Sequence, residues 1–291
     1  MISLDSSTAA ARHRERNSLM LRSLRAVGCV LAVFAASVLV SGGVASAAPM
    51  DPPGVFTCRG GDFDSNELAV VPSGTYNQLR IAGACRPAPG AVIRVRGSLF
   101  VTPGSAFDAQ SAPSTITVFG NVNAAAGSIL GLGCQPPSMT GNSAHECVED
   151  PGGHSTISVM GSVNATDVNT LLLNGVSVRR NVNVSGGGGF IPWSIKNNII
   201  GGNLNVSGVT TNWFGAMFNT VGGDVNLFNI TSLEFDHPGG PVYVVRNTVG
   251  RNLTCVGLVP GVSGGFRPGP ANEVGLHTFG QCVGLTGGGI S

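Results

Sequence analysis

In the stretch 198–227 apolar and polar positions alternate over very short spans, each span ending in glycine, and the whole phrase occurs twice. Asn198-Ile199-Ile200-Gly201-Gly202-Asn203-Leu204-Asn205-Val206 returns as Asn219-Thr220-Val221-Gly222-Gly223-Asp224-Val225-Asn226-Leu227. Alternation of this kind is the signature of a half-buried strand, since successive side chains on a strand point to opposite faces. Glycine or proline interrupts nearly every window of ten, and no segment beyond the N-terminal region keeps a helical apolar period, so helix is excluded as the main element.

The phrase extends outward. Its asparagine, or a substitute, falls at Gln78, Ser98, Asn121, Ser162, Asn181, Asn203, Asp224 and Asn252, at similar intervals except between Asn121 and Ser162, where the gap is about twice as long. Thr115–Val118 and Ser155–Val159 supply a second short strand ahead of their markers. The long gap contains an inserted polar stretch, residues 134–154. Units of two or three short strands with glycine turns cannot bury their own apolar side chains; stacked in parallel they make one continuous core. The expected fold is therefore all-β, a parallel β-helix (β-solenoid) of about 8–9 coils over residues 76–291, after a cap region at 48–75. A β-propeller would need longer repeats of about 40 residues, and a sandwich would not repeat its turns. Asn198, Asn219, Asn247 and Asn272 recur just ahead of the glycine turn, where asparagine accepts a left-handed bend and its amide can bond the same amide one coil away, building a ladder.

Charge is sparse and changes meaning once the N-terminus is considered. Arg12, Arg14, Arg16, Arg22 and Arg25 precede an apolar run from Val27 to Val40, followed by Ala45-Ser46-Ala47. This is the pattern of a secretory signal peptide over residues 1–47, too short in its apolar run to span a bilayer comfortably. Removing it leaves Lys196 and ten arginines against thirteen carboxylates. That balance speaks against nucleic acid as a partner, which requires a basic stripe. No later segment is long and apolar enough to cross a membrane, so the expected location is extracellular or at the cell surface.

Six cysteines remain after the signal, an even number that reads as disulfides in an exported chain. Neighbour pairing is the expectation: Cys58 with Cys85, Cys134 with Cys147 and Cys255 with Cys282. The first and last would staple the two ends of the repeat array, and the middle one would fix the inserted stretch.

Candidate chemistry sits where the repeat is interrupted. Glu234, Asp236 and His237 lie in a coil that is longer than its predecessor. Trp193 and Trp213 lie in successive units, each a similar distance ahead of its marker, Asn203 or Asp224, which places them on similar faces of neighbouring coils. Aromatic rings beside carboxylates are ingredients of a sugar-binding groove. The inserted stretch also carries His145, Glu146, Glu149, Asp150 and His154, read as a solvated loop and not as a metal site. Gly261-Val262-Ser263-Gly264-Gly265 matches a nucleophile elbow in letters only, because no helix follows it. No cofactor or metal signature is present.

In repeat length and asparagine turns the chain resembles the pectin-lyase-like right-handed β-helix superfamily. It looks closest to uncharacterised secreted actinobacterial proteins whose NTVGGNL-type turns lead to a terminal pair of cysteines, seen here as Asn247-Thr248-Val249-Gly250-Arg251-Asn252-Leu253-Thr254-Cys255 and Gly280-Gln281-Cys282. The resemblance covers roughly Gln78 to Cys282 and implies a right-handed coil. Enzymes of that superfamily act on pectic polysaccharides. Their hydrolase motifs are missing here, and Phe235-Asp236-His237 echoes the lyase motif only faintly. The expected function is thus a non-catalytic structural or glycan-binding module directed to cell-wall or extracellular polysaccharide. The alternative is a polysaccharide lyase or hydrolase acting through Glu234, Asp236 and His237.

Overall fold

The computed structural model describes residues 54–233, 240–265 and 271–286. Within them the chain winds as a parallel β-solenoid of about nine turns. Each turn contributes one strand to a first sheet, one to a second and one to a third. Nine strands form the third sheet, and eighteen form the other two, joined where the long strand Gln78–Pro87 runs from the first sheet into the second. Neighbouring strands are parallel throughout all three sheets. Helix is confined to Pro137–Thr140 and a 3₁₀ turn at Gln281–Leu285 among the described residues.

The coil spacing follows the turn markers. Leu79, Leu99, Val122, Val163, Val182, Leu204, Val225 and Leu253 each lie one residue after a marker and stack in register as one inward row of the first sheet. All eight are essentially inaccessible to solvent. Burial of such a side chain stabilises by roughly 1.5–3 kcal/mol. The solenoid starts earlier than the spacing suggests, since Val55–Gly60, Ala69–Val71 and Gly74–Tyr76 already pair in parallel with the strands that follow. Much of the stretch expected as a cap is therefore the first turn.

Backbone groups at the corners are satisfied by ladders of side chains. In the third sheet one inward row is Ile93, Ile116, Ile157 and Val176, and then becomes Asn198, Asn219, Asn247 and Asn272. The change is not one of corner length, since two residues separate Ile195 from Asn198 just as two separate Leu173 from Val176 one turn earlier. Asn219 shows the reason. Its Oδ1 accepts from the Asn198 backbone N–H at 3.1 Å and from Asn198 Nδ2 at 2.9 Å, while its Nδ2 donates to the Ile195 carbonyl at 2.8 Å and to Asn247 Oδ1 at 3.0 Å. Buried polar groups must be paired in this way or they cost free energy. The left-handed bend lies one residue earlier than expected, at Asn197, Phe218 and Arg246, so these asparagines serve the ladder alone.

A second ladder runs through the markers themselves. Asn181 Oδ1 accepts the Asn203 backbone N–H at 2.8 Å, Asn203 Oδ1 accepts that of Asp224 at 2.8 Å, and Asp224 Oδ1 accepts that of Asn252 at 3.1 Å. Only an acceptor is required, which explains why Ser and Asp replace Asn at this position. A third ladder, half-exposed on the outer face of the first sheet, links Asn123, Asn164, Asn183, Asn205 and Asn226 amide to amide at 2.9–3.0 Å.

Cys58 pairs with Cys85, Cys134 with Cys147 and Cys255 with Cys282. The last pair holds the 3₁₀ turn, whose Leu285 carbonyl receives both the backbone N–H and the Nδ2 of Asn272, so the buried asparagine ladder ends on this segment.

Candidate functional site

The outer face of the second sheet gathers most of what breaks the repeat. Over its early turns lies the inserted stretch, closed by the Cys134–Cys147 bond. It is held at several points. The Asn174 side chain donates to the His145 carbonyl at 3.1 Å, Lys196 Nζ donates to the Ser143 carbonyl at 2.8 Å, and Asn142 and Asn197 exchange amide hydrogen bonds in both directions. Arg86 forms an ion pair with Glu149. A small cavity of about 180 Å³ beneath the stretch is bordered by Asp108, Gln110, Leu172 and His145. Burial, and then the nearby Lys196 charge, hold the His145 pKa below its usual value, with Asp108 pulling the other way. Burial also lowers the pKa of Lys196.

Farther along the same face is an apolar cluster outside the main core. Met217, Tyr243 and Val245 are buried there, with Trp213 and Phe218 packed against them. Trp213 is half-buried and stacks on Tyr243 with ring centroids 5.2 Å apart and planes at 29°. Its indole lies flat on Gly215, where an added Cβ would overlap the ring. A glycine is needed there because the ring covers bare backbone.

The two tryptophans do not share a face, contrary to the expectation from their spacing. Trp193 pairs in register with Phe214, one residue after Trp213. The tryptophans are therefore spaced one residue short of a full turn, and a slip of one residue on a strand inverts the side chain. Trp193 is accordingly in the core, with no exposure and its Nε1 donating to the Asn169 carbonyl at 3.0 Å. A ligand cannot reach it. Glu234, Asp236 and His237 lie outside the described residues. In the inserted stretch, Cys147 is consumed by its disulfide and Glu149 by Arg86. Among the described residues no three His, Cys, Asp or Glu side chains converge as metal ligands.

Between the inserted stretch and the apolar cluster runs a groove of about 690 Å³. Pro137, Asn142 and Ser143 form one wall, with Phe218, Val245 and Arg246 opposite. Sequence reasoning did not find Phe218, Tyr243 or Arg246. The signal for Tyr243 was present, since it occupies the outward strand position beside Gly215; Phe218 and Arg246 belong to a corner whose conformation no repeat reveals. No family model, no curated protein and no solved structure matches the chain, so its fold and site geometry carry the functional argument.

Proposed function

We propose that the chain is an exported, non-catalytic β-solenoid that binds an extracellular or cell-wall glycan on the outer face of its second sheet. The observation that carries this reading is the Trp213–Tyr243 stack, a partly exposed aromatic platform placed outside the core on a rigid sheet. The C–H faces of a pyranose ring are apolar and pack on such a ring, as other apolar groups do on aromatic side chains. Binding residues are commonly held by a scaffold whose own core does not depend on them, and Trp213 fits that division because the core rows continue beneath it. Export is supported by the three cysteine pairs and by the N-terminal arginine-then-apolar pattern. Among the described residues no helix is long and apolar enough to cross a membrane.

The test is a glycan-array screen followed by calorimetry on any hit. Trp213→Ala is expected to weaken binding about tenfold, in line with loss of one stacking contact of roughly 1 kcal/mol or slightly more, and to lower the unfolding midpoint as the ring leaves Tyr243 and Gly215, so affinity is measured at a temperature where the variant is folded. Unchanged affinity would show that the Trp213–Tyr243 platform does not hold the glycan. A parallel assay for reducing ends and unsaturated products covers the alternative: release that disappears in Asp236→Asn would replace binding by lyase or hydrolase catalysis through Glu234, Asp236 and His237.

A further inference from the structure

The groove beside the inserted stretch has features that the glycan reading does not use. Its corner residues Phe218 and Arg246 have φ values of 57° and 50°, a left-handed conformation that is unfavourable for any residue but glycine. Glycine would relieve that cost, and at the equivalent corner one turn before Asn197 the chain does have glycine, Gly175. A ring and a guanidinium are thus held at successive turns in a conformation that disfavours both, and both face the same groove.

Charge narrows the occupant. Arg246 is exposed and, among the described residues, has no ion pair or hydrogen-bond partner. The second cation nearby, Lys196, is tied to the Ser143 carbonyl in the opposite wall. Among the described lining residues there is no carboxylate, and the remaining surface is Pro137, Phe218, Val245 and glycine backbone, with Asn142 held by Asn197. A volume of about 690 Å³ falls in the range of small-molecule sites, roughly 300–1,000 Å³, which are mostly apolar with a few polar groups that fix orientation.

We propose that this groove is a binding site for a small amphipathic anion, an apolar or aromatic body bearing one carboxylate, with the body against Phe218, Val245 and Pro137 and the carboxylate on Arg246. A guanidinium presents two parallel N–H donors that match a carboxylate, and the apolar walls lower the local dielectric and strengthen that pairing. The walls are preset by the Asn142–Asn197 and Lys196–Ser143 contacts, so little ordering is required on binding.

The experiment compares 2-naphthoate with its neutral counterpart 2-naphthalenemethanol by calorimetry on the full chain at pH 7. Naphthoate is expected to bind at least tenfold more tightly. Arg246→Gly, which suits the left-handed backbone, should bring the two ligands within about twofold of each other, and Arg246→Gln serves if the glycine variant does not fold. Phe218→Gly should weaken both ligands together. Arg179→Gln, at an exposed arginine past the opposite end of a third-sheet strand, should leave the tenfold preference intact. No binding of naphthoate at millimolar concentration, no preference for the carboxylate, or a preference that survives loss of Arg246 would each overturn the proposal. Arg246→Gly separates this site from the glycan platform, because it should abolish the carboxylate preference and leave glycan affinity, which uses Trp213 and Tyr243, unchanged.

Discussion

Gly250→Ala and Gly208→Ala place the same methyl group in two different kinds of turn. Gly208 has φ of +68°, yet a Cβ there meets nothing closer than 3.7 Å. Gly250 has no left-handed conformation to protect, but its Cβ would overlap the carbonyl oxygen of Gly222, one coil below. The backbone on either side of that oxygen is bonded from coil to coil, through Gly222 N–H to the Ile200 carbonyl and through the Val221 and Gly223 carbonyls to the next turn, so it has little room to step aside. We expect Gly208→Ala to cost about 1–2 kcal/mol, the left-handed penalty alone, and Gly250→Ala about 3 kcal/mol or more through displaced backbone. Urea midpoints measure both, and the reverse order would mean that conformational freedom, not close approach, selects glycine here. The buried ladder gives a second test at this scale. Asn219→Leu leaves the Asn198 N–H buried without its acceptor and removes the side-chain bonds to Asn198 Nδ2 and the Ile195 carbonyl, and at about 1–3 kcal/mol for the orphaned group with a smaller loss for each further bond it should lose roughly 3 kcal/mol by the same assay. The asparagine rows were legible in the sequence because a ladder demands the same residue at every turn. The faces of the tryptophans were not, since a spacing one residue short of a turn reverses parity and only the strand register reveals it.

Among the elements, the strands were readable, and so were the inserted stretch and its disulfide, but the way that stretch docks was not. Strand positions follow from alternation and from markers that recur at each turn, so their register agrees with the sequence spacing coil by coil. The inserted stretch has no period, and its docking on the second sheet depends on single contacts made by Asn142, Ser143 and His145 to Asn197, Lys196 and Asn174. These contacts predict a pH response. The folded His145 pKa lies below its unfolded value near 6.5, through burial first and Lys196 second, opposed by Asp108. The folded state therefore binds fewer protons than the unfolded one below that pH, so docking is strongest above pH 6.5 and weakens as pH falls toward the depressed folded value. Hydrogen exchange at the amides of Gln135 and Ser155, which bond the His145 and Cys134 carbonyls, should show protection that declines from about pH 7.5 to about pH 5.5 after correction for intrinsic rates. His145→Gln should flatten that decline. A decline that persists in the variant would assign the effect to another group.

For the solenoid as a whole, stability is a sum over turns and their interfaces, so the ends decide how it comes apart. At the C-terminal end the last strands would present unpaired edges, a template for other chains, if the 3₁₀ turn Gln281–Leu285 were released. Two devices hold that turn: the Cys255–Cys282 bond and the two hydrogen bonds from Asn272 to the Leu285 carbonyl. The bonded cysteines are 27 apart in sequence, and the loop-entropy relation gives such a closure about 3.5 kcal/mol at 25 °C. Because the turn also terminates the asparagine ladder, losing the bond should propagate inward and not merely lower a single midpoint. In Cys255→Ser/Cys282→Ser, exchange protection should fall first at Asn272 and Asn247, then at Asn219, while Leu79, Leu99 and Val122 near the other end keep theirs. Denaturant unfolding should broaden in step, as cooperativity between the two ends is lost. Uniform loss of protection along all the turns would show instead that the solenoid opens as one unit, and that the C-terminal staple acts on global stability alone.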